Sequence, residues 1–248
     1  MEVAHHFKLS FAAIPAYALR MLTLALEQST PEAGIALLHD DALIALHSWR
    51  EERKRDQNLF RVLPQLLTDG GVTLEAIDRF AVGLGPGSFS GIRIAIAALS
   101  ALALPAGTPM AGVSSAAALA RQMMPDSAGS SVAVIGDARR ERLWMAVYQQ
   151  DPTQETLPLC LIARDELRNR LPPGCRVVSP DWGRLDAVLR PLGEEGWDVI
   201  REVRTPTAEA VARLAAAQPA TELATPLEPP QPLYLHPAVF VPPRFPVA

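Results

Sequence analysis

Apolar and polar positions change period several times along the chain, and each change marks an element. From Met21, "MLTLAL" reads as a short strand, "EQSTPEA" as a polar turn and "GIALLHD" as a second strand. After the Asp40-Asp41 turn, "DDALIALHSW" supplies a third, so the opening is a β-meander. Spacing then turns helical near Arg55–Asp69, with Leu59, Val62 or Leu63, and Leu66 in step, until Gly70-Gly71 stops the helix. Pro64 inside that helix conflicts with it, because proline removes a helical hydrogen bond. "RFAVGLG" is a strand running into "GPGSFSG". The segment from Ile92 to Leu104 follows, with isoleucines alternating like a strand but the alanine content and length of a helix. A helix apolar on nearly every side must be covered on more than one face.

Further on, "MAGVSS" and "SVAVIGDA" read as strands around the helical "AAALARQMM", and "RLWMAVYQQ" as another strand. "TPTAEAVARLAAAQ" predicts a helix capped near Thr207. A meander followed by strands alternating with helices argues for a mixed α/β sheet. The first twenty residues join no such pattern and are expected to be a disordered extension. Nine of the last thirty residues are proline, which predicts an extended tail, with residues 238–248 as its Pro-rich end.

Composition narrows the function. A chain of 248 residues with formal net charge −4 carries no electrostatic footprint for nucleic acid. Cys160 and Cys175 form no C-x-x-C pair, which argues against a disulfide framework or zinc site and fits a reducing cytoplasm. The apolar runs fall short of a membrane span. The five histidines make no H-x-x-x-H or H-E-x-x-H pair, so no metal helix is expected. Asp137 and Arg139 suggest an ion pair at a turn.

The stretch Gly83–Leu104 holds the most specific chemistry. It has no lysine after its last loop glycine, so it is not a P-loop. Gly85-Pro86-Gly87-Ser88-Phe89-Ser90-Gly91 is a relative of the dinucleotide fingerprint, but it follows three strands and a helix, and no acidic residue stands where the ribose would be held. Two possibilities remain open on the residues alone: a packing loop and an anion site. In the first, Gly85 and Gly87 allow close backbone approach, Ser88 or Ser90 caps the helix, Phe89 pins the loop to the core, and Arg93 meets a carboxylate or carbonyl.

"GLGPGSFSGIRIAIA" resembles the "GPGSFTGLRIG" signature of the TsaB/YeaZ family, the noncatalytic partner in bacterial threonylcarbamoyladenosine synthesis on tRNA. "LALEQSTPEAGIALL", "AGVSSAAALA", "DARRERLWMAVYQ" and "PLYLHP" resemble that family's other segments in order. The likeness covers most of Met21–Pro237, with a weak stretch between Asp151 and Pro206. It implies an actin-like/hexokinase (ASKHA) fold: two related lobes, here 21–106 and 107–237, with mixed β-sheets flanked by helices. It also implies no catalytic residues, cofactor or metal, and assembly in the cytoplasm with TsaD as a heterodimer. TsaE joins through the complex, tRNA is met only indirectly, and self-association is open to the chain when TsaD is absent.

The resemblance makes Gly85, Pro86, Gly87, Ser88, Phe89, Gly91 and Arg93 a signature loop. The family's Asp-Thr at the phosphate position falls on Glu27-Gln28, a degenerate version of that site. In the family the helices near Arg55–Asp69 and Ile92–Leu104 meet those of the partner, which makes Leu59, Phe60, Leu63, Ala95, Ile96, Ala98 and Leu99 the expected interface. The alternative is an active ASKHA phosphotransferase or acyltransferase that binds ATP itself.

Overall fold

The computed structural model describes residues 21–51, 58–126, 129–149 and 155–235. The proposed extension 1–20, the tail 238–248 and the start of the helix expected near Arg55 lie outside them. In the first lobe, β1 (Leu22–Glu27), β2 (Glu32–His39) and β3 (Ala42–Arg50) form the expected antiparallel meander. Strand β4 (Arg79–Gly83) then pairs parallel with β1, and β5 (Met110–Val113) parallel with β4. The second lobe repeats the plan. Strands β6 (Ser131–Asp137), β7 (Arg142–Gln149) and β8 (Glu155–Ala163) form a meander, β9 (Arg176–Ser179) lies parallel to β6, and β10 (Asp198–Val203) parallel to β9. The sheet orders β3-β2-β1-β4-β5 and β8-β7-β6-β9-β10 are therefore the same topology used twice. This is the duplicated ASKHA arrangement. The division expected at residue 106/107 falls too early, because β5 hydrogen-bonds to β4 and so belongs to the first sheet.

Helices α1 (Asn58–Gly70) and α2 (Phe89–Ala103) cover one face of the first sheet, with Leu59, Leu63, Leu66, Ile92, Ala95 and Leu99 in the core between. Helix α1 runs through Pro64 because that residue sits on the solvent side, where the carbonyl left without an N–H partner is reached by water. Helix α3 (Ser115–Met123) leaves the first sheet to pack on the second, while α6 (Ala208–Ala216) leaves the second to pack on the first. Both are alanine-rich, so they lie close together in the core that joins the lobes. The Thr207 hydroxyl caps α6 by accepting from the Ala210 N–H at 3.3 Å. At the other end of α6 the buried Arg79 guanidinium donates to the Ala215 carbonyl, which ties the helix to β4. The short helix α4 (Leu167–Arg170) and α5 (Trp182–Glu194) close the outer face of the second sheet.

The chain ends its described part as an extended strap. Ala224 exchanges two backbone hydrogen bonds with Met110, and the Leu233 N–H donates to the Leu84 carbonyl at 2.9 Å. The strap thus covers the free edge of β5, an otherwise open pairing surface.

Candidate functional site

The glycine loop connects β4 to α2 and lies against the turn that connects β1 to β2. The Ser88 N–H donates to the Ser29 carbonyl at 2.7 Å, and a Cβ on Gly87 would stand 2.1 Å from that same oxygen. A Cβ on Gly91 would stand 2.2 Å from the Gln28 carbonyl oxygen. Gly85, at φ +90°, donates its N–H to the Ser115 hydroxyl at 3.1 Å, and its carbonyl accepts from the Ser115 N–H at 2.8 Å. The glycines serve contact between two backbones, and the packing-loop possibility is the one these distances support. Ser88, not Ser90, is the N-cap, accepting from the Gly91 N–H at 3.2 Å.

Glu27 is the last residue of β1. The carboxyl is fully buried; one oxygen accepts from the Ser29 N–H at 2.6 Å and the other from the Ser115 hydroxyl at 2.8 Å. Gly83 makes room for it, since a Cβ there would lie 1.9 Å from Oε2. Each carboxyl oxygen thus has its own donor, so the side chain occupies a nest of its own. Ser115, which sequence reasoning missed, completes that nest, and only the three-dimensional return of α3 brings it there. Gln28 turns instead to Glu51, donating at 3.3 Å, while the Trp49 indole N–H donates to the same oxygen.

Burial pushes the Glu27 carboxyl above its ordinary value of 4.5, against the lowering effect of the Ser29 and Ser115 hydrogen bonds. A raised carboxyl contributes stability while protonated, and that contribution is lost as pH climbs from about 4.5 through the folded-state value. Glu27→Gln, a neutral side chain of the same shape, is expected to remove this slope. Melting curves of both proteins from pH 4.5 to 8 should show the variant gaining on the wild type as pH rises; parallel curves would contradict the assignment.

Between the lobes, Ser29, Thr30, Pro86, Ser115, Trp144 and Pro180 line a shallow recess with about 10 Å³ of free volume. That is room for about one water, against roughly 300 to 1,000 Å³ for small-molecule sites, so the cleft as it stands does not fit a nucleotide. Among the described residues no group of three His, Cys, Asp or Glu side chains could hold a metal ion, and no helix is long and apolar enough to cross a membrane.

Comparison with known proteins places these features. Residues 51–160 match the family "TsaD: tRNA N6-adenosine threonylcarbamoyltransferase". Over 225 residues the chain is 29% identical to the tRNA threonylcarbamoyladenosine biosynthesis protein TsaB of Escherichia coli, covering 87% of this chain and 94% of that protein. The protein of the same name from Bacillus subtilis is 30% identical over 162 residues, 65% of this chain and 64% of its own. The crystal structure of YeaZ from Pseudomonas aeruginosa superposes with a TM-score of 0.69 at 26% identity, covering 87% of this chain and all of that one. The chain is similar to TsaB/YeaZ proteins along most of its length.

Within a TsaB/YeaZ fold, the expected interface needs correction. Leu59, Leu63, Ala95, Ile96, Ala98 and Leu99 are all buried in the chain's own core, because the helical phase turns them onto the sheet. Phe60 alone of the seven is outward-facing, at 56% exposure. The outer surface of the helix pair is built from other residues: Phe60 and Pro64 on α1, and Arg93, Ile94, Ala97, Ala101 and Leu104 along α2 and its C-cap. Ile94 and Leu104 are about half exposed, at 54% and 51%. Phe89 does not pin the loop to the core, being 56% exposed; the buried Ile92 does, its Cδ1 lying 2.7 Å from where a Gly85 Cβ would be. Arg93 meets neither a carboxylate nor a carbonyl among the described residues but the Tyr234 hydroxyl, at 3.0 Å from Nε and 2.8 Å from Nη2. The Asp137–Arg139 pair is present at 3.8 Å, the weaker of two contacts in which Arg184 also reaches Asp137 at 3.2 Å.

Proposed function

We propose that the chain is a noncatalytic subunit that docks on TsaD and supports transfer of threonylcarbamoyl to the adenosine next to the tRNA anticodon. The outer face of α1 and α2 supports it most strongly: Phe60, Ile94, Ala97, Ala101 and Leu104 stand exposed there and take no part in the chain's own core. That helix pair lies within the segment matching TsaD itself, which favours a partner presenting a similar pair of helices. Self-association through the same face is then open to the chain when TsaD is absent. TsaE enters through the assembly, and tRNA is met by way of TsaD, consistent with the net charge of −4.

Two features speak against chemistry in this chain's own cleft. Glu27 takes up the donors at the phosphate position, and the glycine loop closes on the β1–β2 turn instead of standing off from it. Titration of Mg–ATP into the isolated chain is expected to show no binding tighter than about millimolar, the level of a few weak contacts. A micromolar isotherm would favour an active ASKHA phosphotransferase or acyltransferase.

A further inference from the structure

The strap delivers Tyr234 to the start of the α2 outer face, 141 residues away in sequence from Arg93. There the guanidinium lies 4.1 Å above the Phe89 ring and 5.7 Å from the Tyr234 ring, with the two rings 5.8 Å apart. Phe89, Arg93 and Tyr234 are all exposed, so the cluster seals no core. Arg93 also stands toward the N-terminal end of α2, where a cation gains nothing from the helix dipole. The fold therefore holds an arginine in one orientation on its surface without an evident benefit to itself. Aromatic rings and arginine are the side chains enriched where protein surfaces bind one another. Among the described residues Arg93 has no carboxylate partner; Tyr234 takes two of its N–H groups and leaves the remainder of the planar fork free.

We propose that Arg93 is a docking residue that receives a carboxylate of the TsaD chain, and that Tyr234 is the positioning residue that holds it ready. The assignment rests on the docking face described under the proposed function. Arg93, Ala97, Ala101 and Leu104 recur at helical spacing, so the guanidinium heads the same stripe that presents the apolar contacts. An apolar stripe with a preorganised charge at one end fixes the register of an incoming helix, which apolar contact alone does poorly. The strap, whose Pro230 packs on Gly112, thereby links the chain's C-terminal segment to partner choice.

Calorimetric titration of the full chain with TsaD from the same genome, at low and at high salt, tests this. Arg93→Ala is expected to weaken binding about tenfold at low salt and to flatten the salt dependence of the wild type. Tyr234→Ala should do nearly the same, and Tyr234→Phe, which keeps the ring, less. Arg93→Lys should not restore affinity, since an ammonium offers no planar fork. Melting temperatures should stay at the wild-type value; if Tyr234→Ala alone loses stability, Arg93→Ala decides. Ile94→Glu is the reference, expected to abolish binding through the apolar stripe. If Ile94→Glu abolishes binding while Arg93→Ala and Tyr234→Ala bind like the wild type at both salts, the inference is wrong and the docking face stands. If Ile94→Glu binds normally, the face itself is misassigned and Arg93 falls with it.

Discussion

Gly87→Ala is expected to destabilise the chain by about 3 kcal/mol, at the upper end of the usual cost of overpacking. The added methyl would meet the Ser29 carbonyl oxygen at 2.1 Å and the carbonyl carbon at 2.9 Å. Neither atom is a flexible side chain that can swing away. Relief requires the loop to separate from the β1–β2 turn and stretch the 2.7 Å bond from the Ser88 N–H to Ser29. Gly91→Ala should behave alike, its methyl facing the Gln28 carbonyl oxygen at 2.2 Å. Gly107 provides the control: its φ of +65° disfavours alanine, but nothing lies within 4 Å. Gly107→Ala should therefore cost only about 1 kcal/mol, the backbone penalty without the clash. Urea unfolding of the three variants reads the difference. A loop that cradled phosphate with space to spare would tolerate Gly87→Ala in the fold and lose only ligand binding, so wild-type stability for that variant would contradict the packing role.

The first lobe was legible because its signals are local. Its meander strands carry runs of apolar residues, and the Asp40-Asp41 turn is real, with Asp40 at φ 53°. The segment from Asp151 to Pro206 was opaque for a physical reason. Strands β8 and β10 are half-exposed sheet edges: "ETLPLCLIA" is interrupted by Pro158, and "DVIREV" sets three charged residues among three apolar ones. Helix α5 is further masked by Pro191. The lobe duplication left little trace in the residues, since it is conserved as topology. One echo survives: Glu27 ends β1 by accepting from the N–H two residues on, at 2.6 Å, and Asp137 ends β6 the same way, at 3.0 Å.

At the site, the type of each loop residue could be read from the sequence, but not its direction. Three isoleucines at 92, 94 and 96 look equivalent in the sequence. The helix turns 92 and 96 onto the sheet and 94 outward, in keeping with an apolar helix that must be covered on a second face. Assigning the interface to these helices without their rotational phase picked the buried face. Tyr234 and Ser115 were beyond reach for another reason: each meets its partner through a long return of the chain, Arg93 and Glu27 respectively.

The same phase argument gives the second large effect. Ala98 is 8% exposed and packed in the first lobe's core, so Ala98→Glu should cost about 3–5 kcal/mol and unfold the isolated chain. Its neighbour Ala97 faces solvent. Ala97→Glu should melt like the wild type, yet bury an unpaired charge once a partner covers the outer face of α2.

Calorimetric titration of the chain into TsaD from the same genome therefore tests the central claim most directly. A saturable one-to-one isotherm with Kd of about micromolar or tighter is expected for the wild type, and no measurable heat for folded Ala97→Glu. If folded wild type and folded TsaD mix without heat, or if Ala97→Glu binds undiminished, the chain does not act as a TsaD-docking subunit through this face.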